Sequence, residues 1–385
     1  MVIPDGYKKT EVGIIPVDWD CEQIKSFAKV CMCKRIFAYQ TSMFGDIPFY
    51  KIGTFGEKPD AYISRKLFLE YKEKYSYPEK GDILFSAAGT LGRTLVFDGK
   101  DSYFQDSNIV WLKIDKTRLI NEYLQYYYQI IVWTPSEGST ISRLYNGIIE
   151  STRVAFPLKD EQKAIVTVLS DVDSLIDNLE KLISKKKNIK QGAMQELLTG
   201  KRRLPGFTEE WKKYSLGDVL IVRHGQSQHG IENPAGKYPI LATGGIIGRT
   251  NQFLCCTPSV LIGRKGTINK PQFMDTPFWT IDTLFYTTIK SGIDAKYIYY
   301  IFCTIPWIDF NEASGIPSLS AKVIERVKIT LPSHKEQVAI QTILTDMDNE
   351  IDELEKKLVK YRNIKKGMMS ELLTGHIRLT EKEDA

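Results

Sequence analysis

Residues 157–204 and 332–379 align without a gap at a constant offset of 175, and 27 of the 48 pairs are identical. Chance does not give such a match, so the chain is a duplication and is expected to fold into two like halves. Both copies carry a helical pattern. In the first, Ile165, Leu169, Val172, Ile176, Leu179 and Ile183 step by four and three in alternation. In the second, Leu344, Met347, Ile351, Leu354, Leu358 and Tyr361 do the same. That alternation is a heptad seam, the pattern of one helix lying along another. Each run begins just after a proline (Pro157, Pro332) and closes at Leu-Leu-Thr-Gly (Gly200, Gly375), the usual placement of proline and glycine around a helix. A helix from 161 to 198 is about 57 Å long at about 1.5 Å per residue. One such helix exposes its apolar stripe, whereas two can cover each other. The expectation is an intramolecular coiled coil, antiparallel under a two-fold relation between the copies.

The rest of the chain is globular by composition. A length of 385 residues suits two or three domains, with 43% hydrophobic and 11% aromatic residues to fill their cores. The net charge of +5 permits a polyanionic partner without demanding one. No 18-residue apolar run is present, so no membrane span is expected. The stretch Met1 to Lys9 is polar and lacks an apolar signal core, which points to the cytoplasm. Cys21, Cys31, Cys33, Cys255, Cys256 and Cys303 form no C-x-x-C and stand near no paired histidines. They are expected to be free thiols, neither bridged nor bound to zinc.

Two polar-aromatic regions, 19–156 and 211–331, flank the repeats. They have diverged far more than the helices yet keep shared landmarks. Trp19 and Trp211 open them, each followed five residues on by an aliphatic (Ile24, Leu216). The segment 81–92 resembles 258–269, with Gly89-Thr90 over Gly266-Thr267. Tyrosine-rich 123–128 sits over 297–302, and Ile141-Ser-Arg-Leu144 over Ile316-Pro-Ser-Leu319. Ile149-Glu150 matches Ile324-Glu325, again at offset 175. The duplication therefore covers a whole half, globular region plus helix. Short β-branched and aromatic runs bounded by glycine read as strands: 83–85, 94–97, 109–114, 219–222, 260–262 and 284–288. Residues 121–132 and 294–304 read as short helices, so each region mixes α and β. The tyrosines 126–128 read as core rather than as a stacking platform.

Catalytic signatures are absent from the sequence. Gly263-Arg-Lys-Gly-Thr267 lacks phosphate-loop spacing. Asn233-Pro-Ala-Gly236 lacks the aromatic of an amino-methyltransferase motif, and no glycine-rich cofactor loop accompanies it. His334 and His376 fall where the first repeat has Lys159 and Lys201, so a role performed twice cannot need imidazole there. His224 and His229 have no paired carboxylate or thiol in sight. The pattern is that of a binding and scaffolding protein.

The succession of globular region, long helix, globular region, long helix resembles the specificity (S) subunit of type I restriction–modification systems. The resemblance rests on Pro-x-x-x-Glu-Gln-x-x-Ile at 157–165 and 332–340, and on Glu-Leu-Leu-Thr-Gly at 196–200 and 371–375. It also rests on Gly13-Ile-Ile-Pro-Val-Asp-Trp19, Leu204-Pro-Gly-Phe-Thr-Glu-Glu-Trp211 and Tyr238-Pro-Ile-Leu-Ala-Thr-Gly-Gly-Ile-Ile-Gly248. It covers nearly the whole chain. It implies an α+β protein of five parts: a first target recognition domain with its lead (1–156), a conserved helical region (157–204), a second recognition domain (205–331), a second helical region (332–379) and a tail (380–385). It implies double-stranded DNA with a bipartite site as partner, each recognition domain taking one half while the helices set the spacing. Two modification subunits supply S-adenosylmethionine and methylate adenine. Restriction subunits add ATP- and Mg-dependent translocation and cleavage. This chain then carries no catalytic, cofactor or metal residue of its own. Alternatives to this reading are a recognition subunit whose methylase and nuclease are fused in one partner, a coiled-coil adaptor binding proteins only, and a stand-alone methyltransferase.

Reading DNA needs side chains that reach base edges or phosphates. In the second region Arg223-His-Gly-Gln-Ser-Gln-His229 gathers such donors beside a glycine, giving Arg223, His224, Gln226 and Gln228 as candidates. Arg249, Arg264, Lys265 and Lys270 lie on further glycine-flanked loops. Their counterparts in the first region are Lys34, Arg35, Lys51, Arg93 and Arg143. The bland alternative for each is a solvated surface charge. Lys185-Lys-Lys187 reads as a solvated helix face.

Overall fold

The computed structural model describes residues 3–133 and 143–379. The first two residues of the 141–144 landmark and the six-residue tail lie outside that range. The heptad runs form two continuous helices of 39 residues, α1 (Lys159–Leu197) and α2 (His334–Leu372), each about 59 Å long at about 1.5 Å per residue. The chain divides into two compact units, one of Met1–Asn178 with Leu358–Ala385 and the other Leu179–Lys357. Each unit takes part of both long helices.

In the first unit the early part of α1 meets the late part of α2, where Asp173 pairs with Lys365 at 2.6 Å. In the second unit the late part of α1 meets the early part of α2 through Lys190 and Asp348, Lys186 and Glu350 (2.6 Å), and Lys187 and Glu355 (2.7 Å). The helices therefore pair antiparallel. Within the units the seam residues Ile165, Leu169, Ile176, Leu179, Ile183, Leu344 and Ile351 are buried, while Val172, Met347, Leu354, Leu358 and Tyr361 are half-buried. Two of the three lysines at 185–187 are thus ion-paired to the other helix rather than free on a solvated face. Partly exposed pairs of this kind contribute little energy each, but they fix which turn faces which.

Beyond an N-terminal two-stranded hairpin, the described residues of the first unit form nine strands around its half of the helices: β1 (Asp20–Gln23), β2 (Ala28–Cys31), β3 (Ile47–Tyr50), β4 (Tyr62–Ile63), β5 (Ile83–Ser86), β6 (Thr94–Val96), β7 (Tyr103–Phe104), β8 (Ile109–Ile114) and β9 (Arg153–Phe156). The second unit has nine more: β10 (Lys212–Ser215), β11 (Leu220–Arg223), β12 (Tyr238–Ala242), β13 (Gly245–Thr250), β14 (Ser259–Gly263), β15 (Gln272–Met274), β16 (Trp279–Thr280), β17 (Leu284–Ile289) and β18 (Lys328–Leu331). The sheets of the first unit have the orders β2-β8-β5-β6, β4-β3-β7 and β9-β1. Those of the second have β11-β17-β14-β15, β13-β12-β16 and β10-β18. Strand n of the first unit occupies the place of strand n+9 in the second, down to the parallel pairs β3–β7 and β12–β16. A hairpin of Tyr7–Thr10 and Gly13–Pro16 precedes β1.

The central strands β5 and β14 are buried along their whole length, as glycine-bounded apolar runs should be when both faces are covered. The tyrosines 126, 127 and 128 are buried in the first core, together with Ile165, Leu169, Met369, Leu372 and Leu373 of the long helices. Met194, Leu197, Leu198, Ile340 and Leu344 play that part in the second core. All six cysteines are free thiols.

Two elements differ from the sequence reading. The run 219–222 is not one strand: Leu216–Val219 is a helical turn and β11 follows it. Ser215 and Asp218 close a capping box, with the Asp218 carboxylate accepting the Ser215 N–H at 2.6 Å, and that local pairing overrides the β-branched run. The helix expected over 121–132 ends at Tyr127, where the N–H groups of Ile130 and Ile131 both turn back onto the Tyr127 carbonyl.

Candidate nucleic-acid interface

Each unit fastens its globular part to the long helices with the same two constellations. The first is built on the Glu-Gln of the repeat. Glu161 and Glu336 stand in the first turns of α1 and α2 and are buried. Glu161 accepts hydrogen bonds from the Trp19 indole at 3.2 Å and from Arg378 at 2.7 and 2.8 Å. Glu336 accepts them from Trp211 at 3.2 Å and from Arg203 at 2.6 and 2.7 Å. A buried carboxylate needs such a full set of donors. The neighbouring Gln162 and Gln337 donate to the carbonyls of Pro157 and Pro332 and accept from the N–H groups of Ile120 and Asp294. Arg378 also reaches Asp18 at 2.7 and 2.9 Å, and this guanidinium holds the Asp18 carboxyl below the usual aspartate range. The pairing therefore supports the fold above the usual aspartate range and fades as pH falls below it, through the lowered pKa.

The second constellation ties a domain tyrosine to both helices. Tyr126 donates to Asp173 at 2.8 Å, and Lys365 pairs with the same carboxylate. Tyr300 donates to Asp348 at 2.8 Å, and Lys190 pairs with that one. Asp173 and Asp348, like Lys190 and Lys365, are 175 apart. Each lysine lies over its tyrosine ring, at 5.5 and 5.4 Å. Burial pushes both tyrosine hydroxyls far up from their ordinary pKa, so they remain donors.

The helix ends differ between copies despite identical Leu-Leu-Thr-Gly. Gly200 and Gly375 are both left-handed (φ 70° and 75°), the usual C-cap conformation. A Cβ at Gly200 meets Trp211 at 3.5 Å, an ordinary contact, whereas one at Gly375 falls 2.4 Å from Pro16 and 3.2 Å from Trp19. Gly200→Ala should cost about 1–2 kcal/mol of conformational strain alone. Gly375→Ala should cost measurably more, because a rigid proline ring must move. Parallel denaturant titrations of the two variants check the order.

The candidate contact residues divide by what their charges already touch. In the first unit Arg35 pairs with Asp106 at 2.9 Å and Lys51 with Asp60 at 2.9 Å. Arg93 donates to the Ile52 carbonyl and lies over Phe55, and Lys34 lies over Tyr75. Among the described residues Arg143 donates to the neutral Ser107 and Asn108 side chains and lies over the Tyr145 ring. In the second unit Arg249 donates to the carbonyls of Gly236 and Lys237, and Arg264 to that of Asp282. Arg223 ends β11 with its side chain exposed, and Lys265 and Lys270 are exposed on the loop after β14. His224 packs edge-on against Phe285. Gln226 is held by its backbone, its N–H on the Thr280 carbonyl and its carbonyl on the Trp279 indole, which leaves the amide side chain exposed; Gln228 is half-buried. The fold brings Arg35, Lys51 and Arg143 around one cleft, and His224, Arg264 and Lys265 around another. It does not bring Arg93, Arg249 or Lys270 to either. Sequence reading missed both helix-fastening constellations, although the pairs at offset 175 were their visible signal.

A repeated recognition fold on an antiparallel helix pair defines a class, and comparison places the chain within it. The model of the type I restriction modification DNA specificity domain matches residues 16–190 and again 208–360, and the chain belongs to that family. A Haemophilus influenzae protein named as a type I restriction enzyme specificity subunit is 57% identical over 150 residues, a match spanning 39% of each chain. The Methanocaldococcus jannaschii MjaX specificity subunit is 24% identical over 416 residues, with 97% of both chains covered. The crystal structure of a type I restriction-modification S subunit from M. genitalium superposes with a TM-score of 0.63 at 16% identity, covering 97% of this chain and 98% of that one. A chain from a structural study of complex assembly in the type I R-M system gives a TM-score of 0.56 at 13% identity over 94% of this chain and 99% of that one. Both share the fold. Among the described residues no helix is long and apolar enough to cross a membrane.

Proposed function

We propose that this chain is the DNA sequence-specificity subunit of a cytoplasmic type I restriction–modification complex. Each globular domain binds one half of a bipartite target, α1 and α2 set the spacing, and the helices dock the modification subunits. The chain recognises and does not catalyse. S-adenosylmethionine, and ATP with Mg, belong to the modification and restriction subunits. One observation carries this reading: an identical strand order is fastened to the helices by identical groups in both units, while the loops presented by the strands differ in sequence. A constant frame bearing two unlike surfaces suits a reader of two unlike half-sites.

The test is a genome-wide map of adenine methylation with this gene present and deleted. One bipartite motif with an unread gap should vanish on deletion and return on complementation. An unchanged map, or loss of one uninterrupted motif, overturns the reading.

A further inference from the structure

A single β-bridge occupies the same place in both units. Ala88 faces Arg143 in the first and Lys265 faces Ser318 in the second, both antiparallel. The hydrogen bonds around them match. The Leu144 N–H bonds the Ala87 carbonyl at 2.8 Å, as the Leu319 N–H bonds that of Arg264 at 3.0 Å. The Ala87 N–H bonds the Asn108 carbonyl at 2.8 Å, as the Arg264 N–H bonds that of Thr283 at 2.8 Å. Ala87 and Ala88 thus correspond to Arg264 and Lys265, and Arg143 to Ser318.

Residues directly opposite in an antiparallel pair project from one face, with Cβ atoms about 5 Å apart. Positive charge therefore stands at one place on the fold in both units but on opposite members of the bridge. In the first unit it comes from the segment returning to the long helix. In the second it comes from the loop after β14. Neither group is neutralised by a carboxylate among the described residues. Arg143 donates to Ser107 Oγ at 3.2 Å and Asn108 Oδ1 at 2.8 Å. Arg264 donates to the Asp282 carbonyl at 3.3 Å, and Lys265 is exposed. Glu312 lines the second cleft without forming an ion pair with them. Beside each bridge lies an open cleft, of about 360 Å³ next to Arg143 and about 420 Å³ next to Lys265.

We propose that this bridge is the backbone-phosphate anchor of each recognition domain. The inference rests on the DNA-reading function above and deepens it. Reading a base edge requires a particular side chain in a particular geometry, whereas holding a phosphate requires positive charge at a place. Between the two units the side-chain type and the strand that carries it have both changed, and only the charge at the place is retained.

The test uses the full chain assembled with its modification subunits. Binding is measured over a salt series to two duplexes of equal length, one carrying the sequence found by methylation mapping and one random. Each phosphate contact contributes about 0.9 to the slope of log K against log salt. Arg143→Ser should lower that slope by about 0.9, weaken both duplexes by the same factor and leave the methylated sequence unchanged. Adding Ala88→Lys to Arg143→Ser, which moves the charge across the bridge as the second unit has it, should restore the slope. The mirror pair, Lys265→Ser without and with Ser318→Arg, should behave alike; Lys265 is exposed, so this pair tests the idea without risk to folding. An unchanged slope for Lys265→Ser, an altered methylation motif, or no recovery on moving the charge overturns the proposal. If the unsubstituted complex does not distinguish the two duplexes, it is the recognition function that fails instead.

Discussion

Replacing Glu161 with alanine should lower the stability of the first unit by about 3 kcal/mol, the lower end of the about 3–5 kcal/mol lost when one partner of a buried ion pair is removed. Glu161 is 5% exposed and Trp19 fully buried. Without the carboxylate the Trp19 indole N–H has no acceptor in the core, and an unmatched buried donor costs its full desolvation. The lower end applies because the Arg378 side chain is 26% exposed and can rehydrate while keeping Asp18. Glu161→Gln retains a carbonyl oxygen for the indole and should cost less. Glu336→Ala should act in the same direction on the second unit, where Trp211 and Arg203 lose their partner. Hydrogen exchange locates the damage. In Glu161→Ala the amides of β1 and β9 should exchange faster while those of β10 and β18 keep their protection. Unchanged exchange in β1 and β9 would show that the clasp holds nothing.

Four residues inserted after Leu182, together with four after Lys357, should widen the gap in the methylated sequence by about two base pairs. The two positions are 175 apart, so the insertion treats both copies alike and the antiparallel partners Asp173–Lys365 and Lys190–Asp348 stay matched. Each helix lengthens by about 6 Å, close to two steps of about 3.4 Å along B-DNA. An insertion in α1 alone leaves α2 short and should cost stability rather than produce a clean new gap. Methylation mapping of cells carrying the double insertion decides the matter: the half-sites should keep their bases and change only their separation. An unchanged gap in a folded, methylating complex would mean that spacing is set elsewhere.

Much of this architecture was legible before any coordinates. The heptad steps of Ile165 to Ile183 marked α1 as a seam helix, because a seam that must stay dry imposes its period on every turn, and Pro157 and Gly200 bounded it to within three residues at each end. The β-branched and aromatic runs at 83–85, 109–114 and 260–262 are central strands, since buried strands tolerate little but apolar residues. What failed was local. Ser215 and Asp218 form a cap that outcompetes the strand propensity of Val219, and the Tyr127 carbonyl closes its helix early. The fastening groups were missed for a different reason: the repetition of their charged members at offset 175 is visible, but not which residues meet. Glu161, Trp19 and Arg378 are 142 and 217 residues apart, and only folding brings them within hydrogen-bond distance. The candidate contacts were chosen by residue type and glycine context. Neither says that Arg35 and Lys51 are already paired with aspartates while Arg143 and Lys265 have no such partner among the described residues.

By itself the sequence determined that there are two halves, that each ends in a long helix, and that the globular regions could diverge while the helices could not. Periodicity and internal repetition are properties of the chain written along its length. Only the tertiary structure decided that the strand order is the same in both halves. It alone showed that a buried glutamate ties each domain to its helix, and that one charge has changed sides of the same β-bridge. Those facts depend on which distant residues meet, and that is settled by packing rather than by any local pattern.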